Sequence, residues 1–226
     1  KAQVRKLIVN GVKEIVQNYD VDGIHMDDYF YPAFNSSNVN SAFDAKEYRA
    51  STMGKHKSSI VAFRRQQVNT LVKAIHSAVK ATKPNVTFGI SPAGNIDNLT
   101  SKYSYYVDIN KWLNSHDYVD YICPQIYWGF KHPYAKFDRV TKRWMKAAKS
   151  KKVKVYIGIA VYRAGHNTGA SSSERREWRS DANVLKKQVQ YARKKGCDGF
   201  AFFDYQDLKS KTSARAVKNL KKVLKR

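Results

Sequence analysis

Cysteine is scarce in this 226-residue chain, with only Cys123 and Cys197, no C-x-x-C pair and no Cys/His ligand spacing. That scarcity argues against a disulfide framework or a structural zinc site as the basis of the fold. No apolar run reaches the roughly 20 residues that a membrane-spanning helix requires, so no transmembrane segment is expected. Also missing are a phosphate-binding P-loop, a G-x-G-x-x-G turn after a strand and a G-x-S-x-G elbow, which removes support for nucleotide chemistry and acyl transfer. His56, His76, His116, His132 and His166 show no metal-ligand spacing, and no cofactor is expected.

Acidic residues are few as well: 18 against 42 basic ones, for a formal charge of +24. Such an excess attracts polyanions over long range, whether nucleic acid, anionic cell-wall polymer or membrane surface. The basic residues are nevertheless scattered along several segments (Lys186, Lys187, Arg193, Lys194, Lys195, then "KNLKKVLKR") rather than gathered on one recognition helix. A cationic solvated surface is expected, without a specific nucleic-acid site.

What is abundant is hydrophobic periodicity. Val4, Leu7, Ile8, Val12, Ile15 and Val16 recur at helical spacing, and Val21 to Tyr29 reads as a short strand. Val68, Leu71, Val72, Ile75 and Val79 repeat the stripe before the strand "VTFGISP". Further cycles lead to "VDYICPQIYW", to "VKVYIGIAVY" and to "GFAFFDY", and a closing helix spans about Ser213 to Leu224. Five strands alternating with helices predict a parallel sheet in one α/β domain over residues 1–226. The long connections Tyr31 to about Lys57 and Arg163 to about Arg179, rich in Ser, Asn and Gly, read as loops that could carry substrate contacts.

Alternation within the strands distinguishes two architectures. Val86, Phe88 and Ile90 oppose Thr87, Gly89 and Ser91; Val155, Ile157 and Ile159 oppose Tyr156, Gly158 and Ala160. A doubly wound sheet would favour apolar residues on both faces, whereas a (β/α) barrel turns one face to the helices and the other inward, polar near the mouth. On this reading His25 and Asp27 point inward, with Asp27 as the buried carboxylate of the mouth and Asp28 at or just past the strand end. Ser91, Cys123, Gln125 and Tyr127 point inward too, and His25, Asp27, Ser91, Gln125 and Tyr127 are expected to converge at the carboxyl-terminal rim with Trp128 at its edge. Asp204 also ends a strand, but phenylalanines on both faces leave its direction open. Carboxylates beside amide and aromatic neighbours suit glycoside cleavage, in which one carboxyl stabilises or attacks the anomeric centre and another protonates the leaving oxygen.

The stretches "NYDVDGIHMDDYFYP", "RRQQVNTLVKAIHSAVKATKPNVTFGISPAGN", "VDYICPQIYW" and "VYIGIAVYR" resemble, in order and spacing, the glycosyl hydrolase-like family 10 proteins, the DUF187 group, from Val4 to about Tyr205. The resemblance implies a (β/α)8 TIM-barrel fold of which this chain carries strands four to eight, the first three βα units being absent from it. It also implies a bacterial, extracellular or cell-envelope glycosidase acting on an amino-sugar polysaccharide such as peptidoglycan glycan strands. Carried over by position, it places catalytic carboxylates at Asp27 and Asp28 and sugar contacts at Gln125, Tyr127 and Trp128. We add His25, Ser91, Asp204 and Tyr205 as candidate substrate contacts. No glutamate ends "FGISP", so the general acid is left among Asp28, Asp204 and residues outside the chain. A carbohydrate-binding domain without activity is the alternative.

Overall fold

The computed structural model describes residues 1–150 and 152–224; the last two residues of the basic run "KNLKKVLKR" lie outside them. The first part of the chain runs α1 (Ala2–Asn18), β1 (Gly23–Asp27), α2 (Ala45–Ala50), α3 (Thr52–Lys55), α4 (Ile60–Thr82), β2 (Thr87–Ser91), α5 (Ile96–Leu99) and α6 (Ile109–Leu113). There follow β3 (Tyr121–Ile122), α7 (Phe137–Ala147), β4 (Lys154–Ala160), a 3-10 turn over Val161–Arg163, α8 (Ser172–Ser180), α9 (Val184–Lys194), β5 (Gly199–Phe203), α10 (Tyr205–Lys209) and α11 (Ala214–Leu224).

The five strands form one parallel sheet in chain order, β1-β2-β3-β4-β5. A doubly wound sheet reverses direction part-way through its strand order. The uninterrupted sequence is that of a (β/α) barrel, and the chain supplies five of the eight strands such a barrel contains.

Two compact units make up the chain, residues 1–90 with 96–121 and residues 91–95 with 122–226. In the first, α1 packs on α4. Only Val12 and Val16 of the α1 stripe are buried; Val4, Leu7 and Ile15 are exposed. Of the α4 stripe, Val68, Val72, Ile75 and Val79 are buried, as are Phe88 and Ile90 of β2 and Trp112 of α6, while Leu71 is half-buried. Trp112 hides its one polar atom by donating Nε1–H to Asn69 Oδ1 at 2.7 Å. The second unit centres on Val155, Ile157 and Ile159 of β4, with Trp144, Trp178, Leu185, Val189 and Leu220 from its helices. Each such side chain withdrawn from water contributes about 1.5–3 kcal/mol.

An aspartate near the start of a strand fixes register in each unit. Asp120 donates its N–H to Phe88 O at 2.7 Å and accepts Phe88 N–H on Oδ2 at 2.8 Å. Asp198 repeats both bonds with Val155, at 2.8 Å each.

Three sequence expectations are corrected. "VDYICPQIYW" forms regular strand only at Tyr121–Ile122, because Pro124 has no N–H to donate; pairing resumes at Gln125, which bridges Ala93 and Gly158. The connection Tyr31–Lys57 contains α2 and α3, and Arg163–Arg179 contains α8, a helix whose polar sequence hides its buried face. Ser171 caps α8, and Glu174 and Trp178 are buried. Glu174 is satisfied there, accepting from Gly129 N (3.1 Å), Ala170 N (2.7 Å) and Trp178 Nε1 (3.3 Å).

Candidate active site

The nine candidate residues divide between the units: His25, Asp27 and Asp28 lie in the first, and Ser91, Gln125, Tyr127, Trp128, Asp204 and Tyr205 in the second. In β1 the alternation is as expected, with Ile24 buried and His25 and Asp27 on the opposite, exposed face. Asp27 is therefore not the buried carboxylate of the pair. The chain turns immediately after the strand, Phe30 N–H donating to Asp28 O at 2.7 Å, and it is Asp28 that is withdrawn from solvent, 2% exposed.

His25 Nδ1 hydrogen-bonds Tyr121 Oη at 2.8 Å, and the two rings stack at 5.8 Å between centroids. Gly89 makes room for this contact: a Cβ there would stand 2.2 Å from the Tyr121 ring. Partial burial lowers the His25 pKa below its ordinary value, against the opposing pull of the Asp27 carboxylate. Tyr105, unmarked in the sequence, belongs to the same surroundings. Its phenol is pushed up by burial, then by the nearby negative charge of Asp28 and by Tyr29.

The segment following Asp28 is anchored by a charge pair. Arg64 donates Nε–H to Asp44 Oδ2 at 2.8 Å, Nη2–H to Asp44 Oδ1 at 2.6 Å and Nη1–H to Tyr106 Oη at 2.9 Å. The Phe34 ring covers the guanidinium at 4.4 Å. Tyr31 packs edge-on against Tyr106 at 5.1 Å, and Phe34 N–H bonds Tyr103 O at 2.6 Å. The apolar hollow of this unit, ≈ 380 Å³, touches Val4, Ile8, Phe43, Phe63 and Leu71 but neither Asp27 nor Asp28.

In the second unit Ser91 is buried and its hydroxyl is committed to Cys123 O at 2.9 Å; Gln125 Nε2–H donates to Ser91 O at 3.2 Å. Gln125, Tyr127 and Trp128 are half-buried. The Tyr127 ring stacks on Phe203 at 5.9 Å and meets Tyr162 edge-on at 6.0 Å, while Tyr162 and Phe203 are perpendicular at 6.2 Å. Trp128 lies 5.9 Å from His132. Asp204, whose direction the sequence left open, caps α10 by accepting Gln206 N–H at 2.8 Å and Asp207 N–H at 3.2 Å on Oδ1. Tyr205 is exposed, with Lys209 Nζ 4.1 Å from its ring centre. Tyr162 and Phe203 were not singled out from sequence, although "VYIGIAVYR" and "GFAFFDY" both carry an aromatic residue at the strand end. Among the described residues no three His, Cys, Asp or Glu side chains gather as a metal site would require, and no helix is long and apolar enough to cross a membrane.

Residues 1–180 match the family described as Glycosyl hydrolase-like 10. The chain is 34% identical over 196 residues to glycosyl hydrolase YngK of Bacillus subtilis (strain 168), covering 78% of this chain and 36% of the relative. It is 34% identical over 201 residues to glycosyl hydrolase DigH of Escherichia coli (strain K12), covering 83% and 44%. It thus spans less than half the length of these curated relatives. The glycoside hydrolase domain of PgaB (BpsB) from Bordetella bronchiseptica superposes with a TM-score of 0.56 at 11% identity, over 96% of this chain and 61% of that one, a likeness of fold. Taken with the sequential parallel strands and the carboxylates that end β1, the match over most of its length means that the chain belongs to the glycosyl hydrolase-like 10 family.

Proposed function

We propose that this chain cleaves glycosidic bonds in an amino-sugar polysaccharide, the glycan strands of peptidoglycan, with Asp27 as nucleophile or base and Asp28 as acid or as the group that orients it. The single observation that carries the reading is the unequal pair at the end of β1. Asp27 is exposed, on the same face as the His25–Tyr121 pair, while its neighbour Asp28 is shielded. Two adjacent carboxyl groups in different environments suit two different tasks. The exposed one is accessible to an anomeric carbon or to a water it would activate, while the C–O bond breaks and the departing oxygen receives a proton from an acid. The names of YngK and DigH as glycosyl hydrolases support the reaction class.

Tyr127 and Trp128 hold sugar faces by stacking, Gln125 bonds hydroxyls, and Ser91, Asp204 and Tyr205 complete the contacts. Ser91 and Asp204 act chiefly by keeping their strand and helix ends in place, since their side-chain oxygens already bond backbone groups. The working compartment is the cell envelope or its exterior, where the +24 charge draws the protein to anionic wall polymers.

A second reading, a carbohydrate-binding domain without turnover, is favoured by the exposed aromatic rings Phe203 and Tyr205, which are suited to sugar faces whether or not a bond is cut. Incubation with peptide-free peptidoglycan, followed by mass spectrometry of released oligosaccharides, separates the two. Turnover that Asp27→Asn abolishes with binding retained is the expected result. Undiminished turnover in Asp27→Asn removes Asp27 from the mechanism, and binding without turnover in the parent chain establishes the second reading.

A further inference from the structure

The residues that follow Trp128 are held by two carboxylates for which the proposed chemistry has no use. Glu174 and Glu177 stand three apart on α8 and so share one face of that helix. Together they collect three consecutive backbone donors. Gly129 N–H bonds Glu174 Oε1 at 3.1 Å, Phe130 N–H bonds Glu177 Oε1 at 3.2 Å and Lys131 N–H bonds Glu177 Oε2 at 2.9 Å. Gly129 lets the helix come this close, since a Cβ there would stand 2.2 Å from Glu177 Oε2. On the other side Gln188, fully buried on α9, donates Nε2–H to Trp128 O at 2.9 Å. The Trp128 ring abuts Gly94, where a Cβ would lie 2.7 Å from Cζ3, and it lies 5.9 Å from His132, whose Nδ1 accepts Ala135 N–H at 2.7 Å.

Packing alone does not call for this arrangement. Neither glutamate forms a salt bridge among the described residues, and every bond on their carboxylates comes from an N–H. Burial lifts the Glu177 carboxyl above its ordinary value, the Lys131 and Phe130 N–H groups pull it back, and the charges of Asp181 and Glu174 lift it again. Apolar residues would fill the space without dehydrating two charges, but they would not fix the direction of a backbone as charge-assisted bonds do. We propose that Glu177, seconded by Glu174, is a positioning residue for glycan binding: by holding the N–H groups of residues 129–131 it sets the backbone from which Trp128 meets the sugar. The proposal rests on the reading of Trp128 as a sugar contact, and Glu177 acts through that ring without touching the sugar. A stacking surface that is ordered before its ligand arrives binds more tightly, because ordering it on binding subtracts from affinity.

The test is a mutant cycle on the purified chain, read by calorimetry with a hexasaccharide of peptide-free peptidoglycan glycan, with urea midpoints to show that each variant is folded. Glu177→Gln keeps the size but sets an amide NH₂ against one of the N–H groups it must receive, and should weaken binding about fivefold. With Trp128→Ala already in place, the same substitution should change affinity less than about twofold, because nothing is left to position. A residue that only stabilises the fold would lower affinity equally in both backgrounds. Gly129→Ala, which forces the same contact apart from the loop side, should repeat the result, and it carries the comparison if Glu177→Gln is not folded. Equal losses with and without Trp128, or unchanged affinity in Glu177→Gln, overturn the positioning role and leave the glycan reading standing, as does undiminished binding in Trp128→Ala. A parent chain that binds no hexasaccharide overturns the glycan reading and the positioning role with it.

Discussion

Replacing Arg64 by methionine keeps much of the side-chain volume and removes the charge, and its consequence follows from what remains. Arg64 is fully buried and Asp44 is 6% exposed, so the carboxylate left behind has lost both guanidinium bonds, of 2.8 and 2.6 Å, in a place that water scarcely reaches. Tyr106 Oη loses a donor as well, though it still donates to Lys102 O at 2.9 Å. An intact buried ion pair adds little net stability, because two charges were dehydrated to make it, but removing one partner typically costs about 3–5 kcal/mol. For a chain of this size that corresponds to a fall in melting temperature of roughly 6–20 °C. The double variant Arg64→Met with Asp44→Leu takes away both charges and should recover most of the loss. Urea unfolding of the parent, both single variants and the double variant closes a mutant cycle. A cost below about 1 kcal/mol for Arg64→Met, or a double variant as damaged as the sum of the singles, would refute the idea that the pair anchors the segment after β1.

Acid should weaken the Asp120 clamp. Burial raises its pKa, but bonds from Lys80, the Phe88 N–H and His76 together outweigh this and hold it below its ordinary 3.8. A carboxylate with a depressed folded pKa stabilises the fold at pH above its unfolded value and loses that contribution as pH falls through the folded one. Asp120→Asn should therefore flatten the pH dependence of unfolding below about 3.8, measured by urea midpoints across pH 2–6. Gly165→Ala should cost more than about 1 kcal/mol in the same assay, since φ is +86° and a Cβ would meet Thr212 O at 2.2 Å. Gly196→Ala, at φ +85° with nothing within 4 Å, should cost less. Neither cysteine should react with a thiol reagent at pH 7.5 before denaturant is added, because burial pushes Cys123 up to about 12 and Cys197 up to about 11.

The stripe Val68, Leu71, Val72, Ile75 and Val79 was readable from sequence, and all but the half-buried Leu71 are buried, because helical spacing and burial there report one physical fact, a helix packed along one face. The parallel sense of the strands followed from their alternation with helices, and the sequential order of a barrel from the contrast between the two faces of each strand. Where the chain departs from periodicity, legibility ended. In α8, "SSERREWRS", eight polar or charged neighbours outweigh Trp178, and the burial of Glu174 depends on N–H donors from Gly129 and Ala170 that no local pattern announces. Asp27 and Asp28 are adjacent in sequence, and which of them is withdrawn from solvent is decided by the turn at Phe30, not by the alternation of β1. Arg64 and Asp44 meet across a connection that reads as loop, and the Tyr162–Phe203 contact exists only because parallel register sets Ala160 beside Phe203.

The paired bonds that Asp120 makes to Phe88, and Asp198 to Val155, give each of these strands a private fastening at its beginning. A strand tethered there needs no help from whatever connects its far end. Insertions and deletions beyond that end can accumulate in a lineage without sliding one strand past the next, so the part of the molecule that meets other molecules is free to be rewritten while the frame beneath it is inherited unchanged.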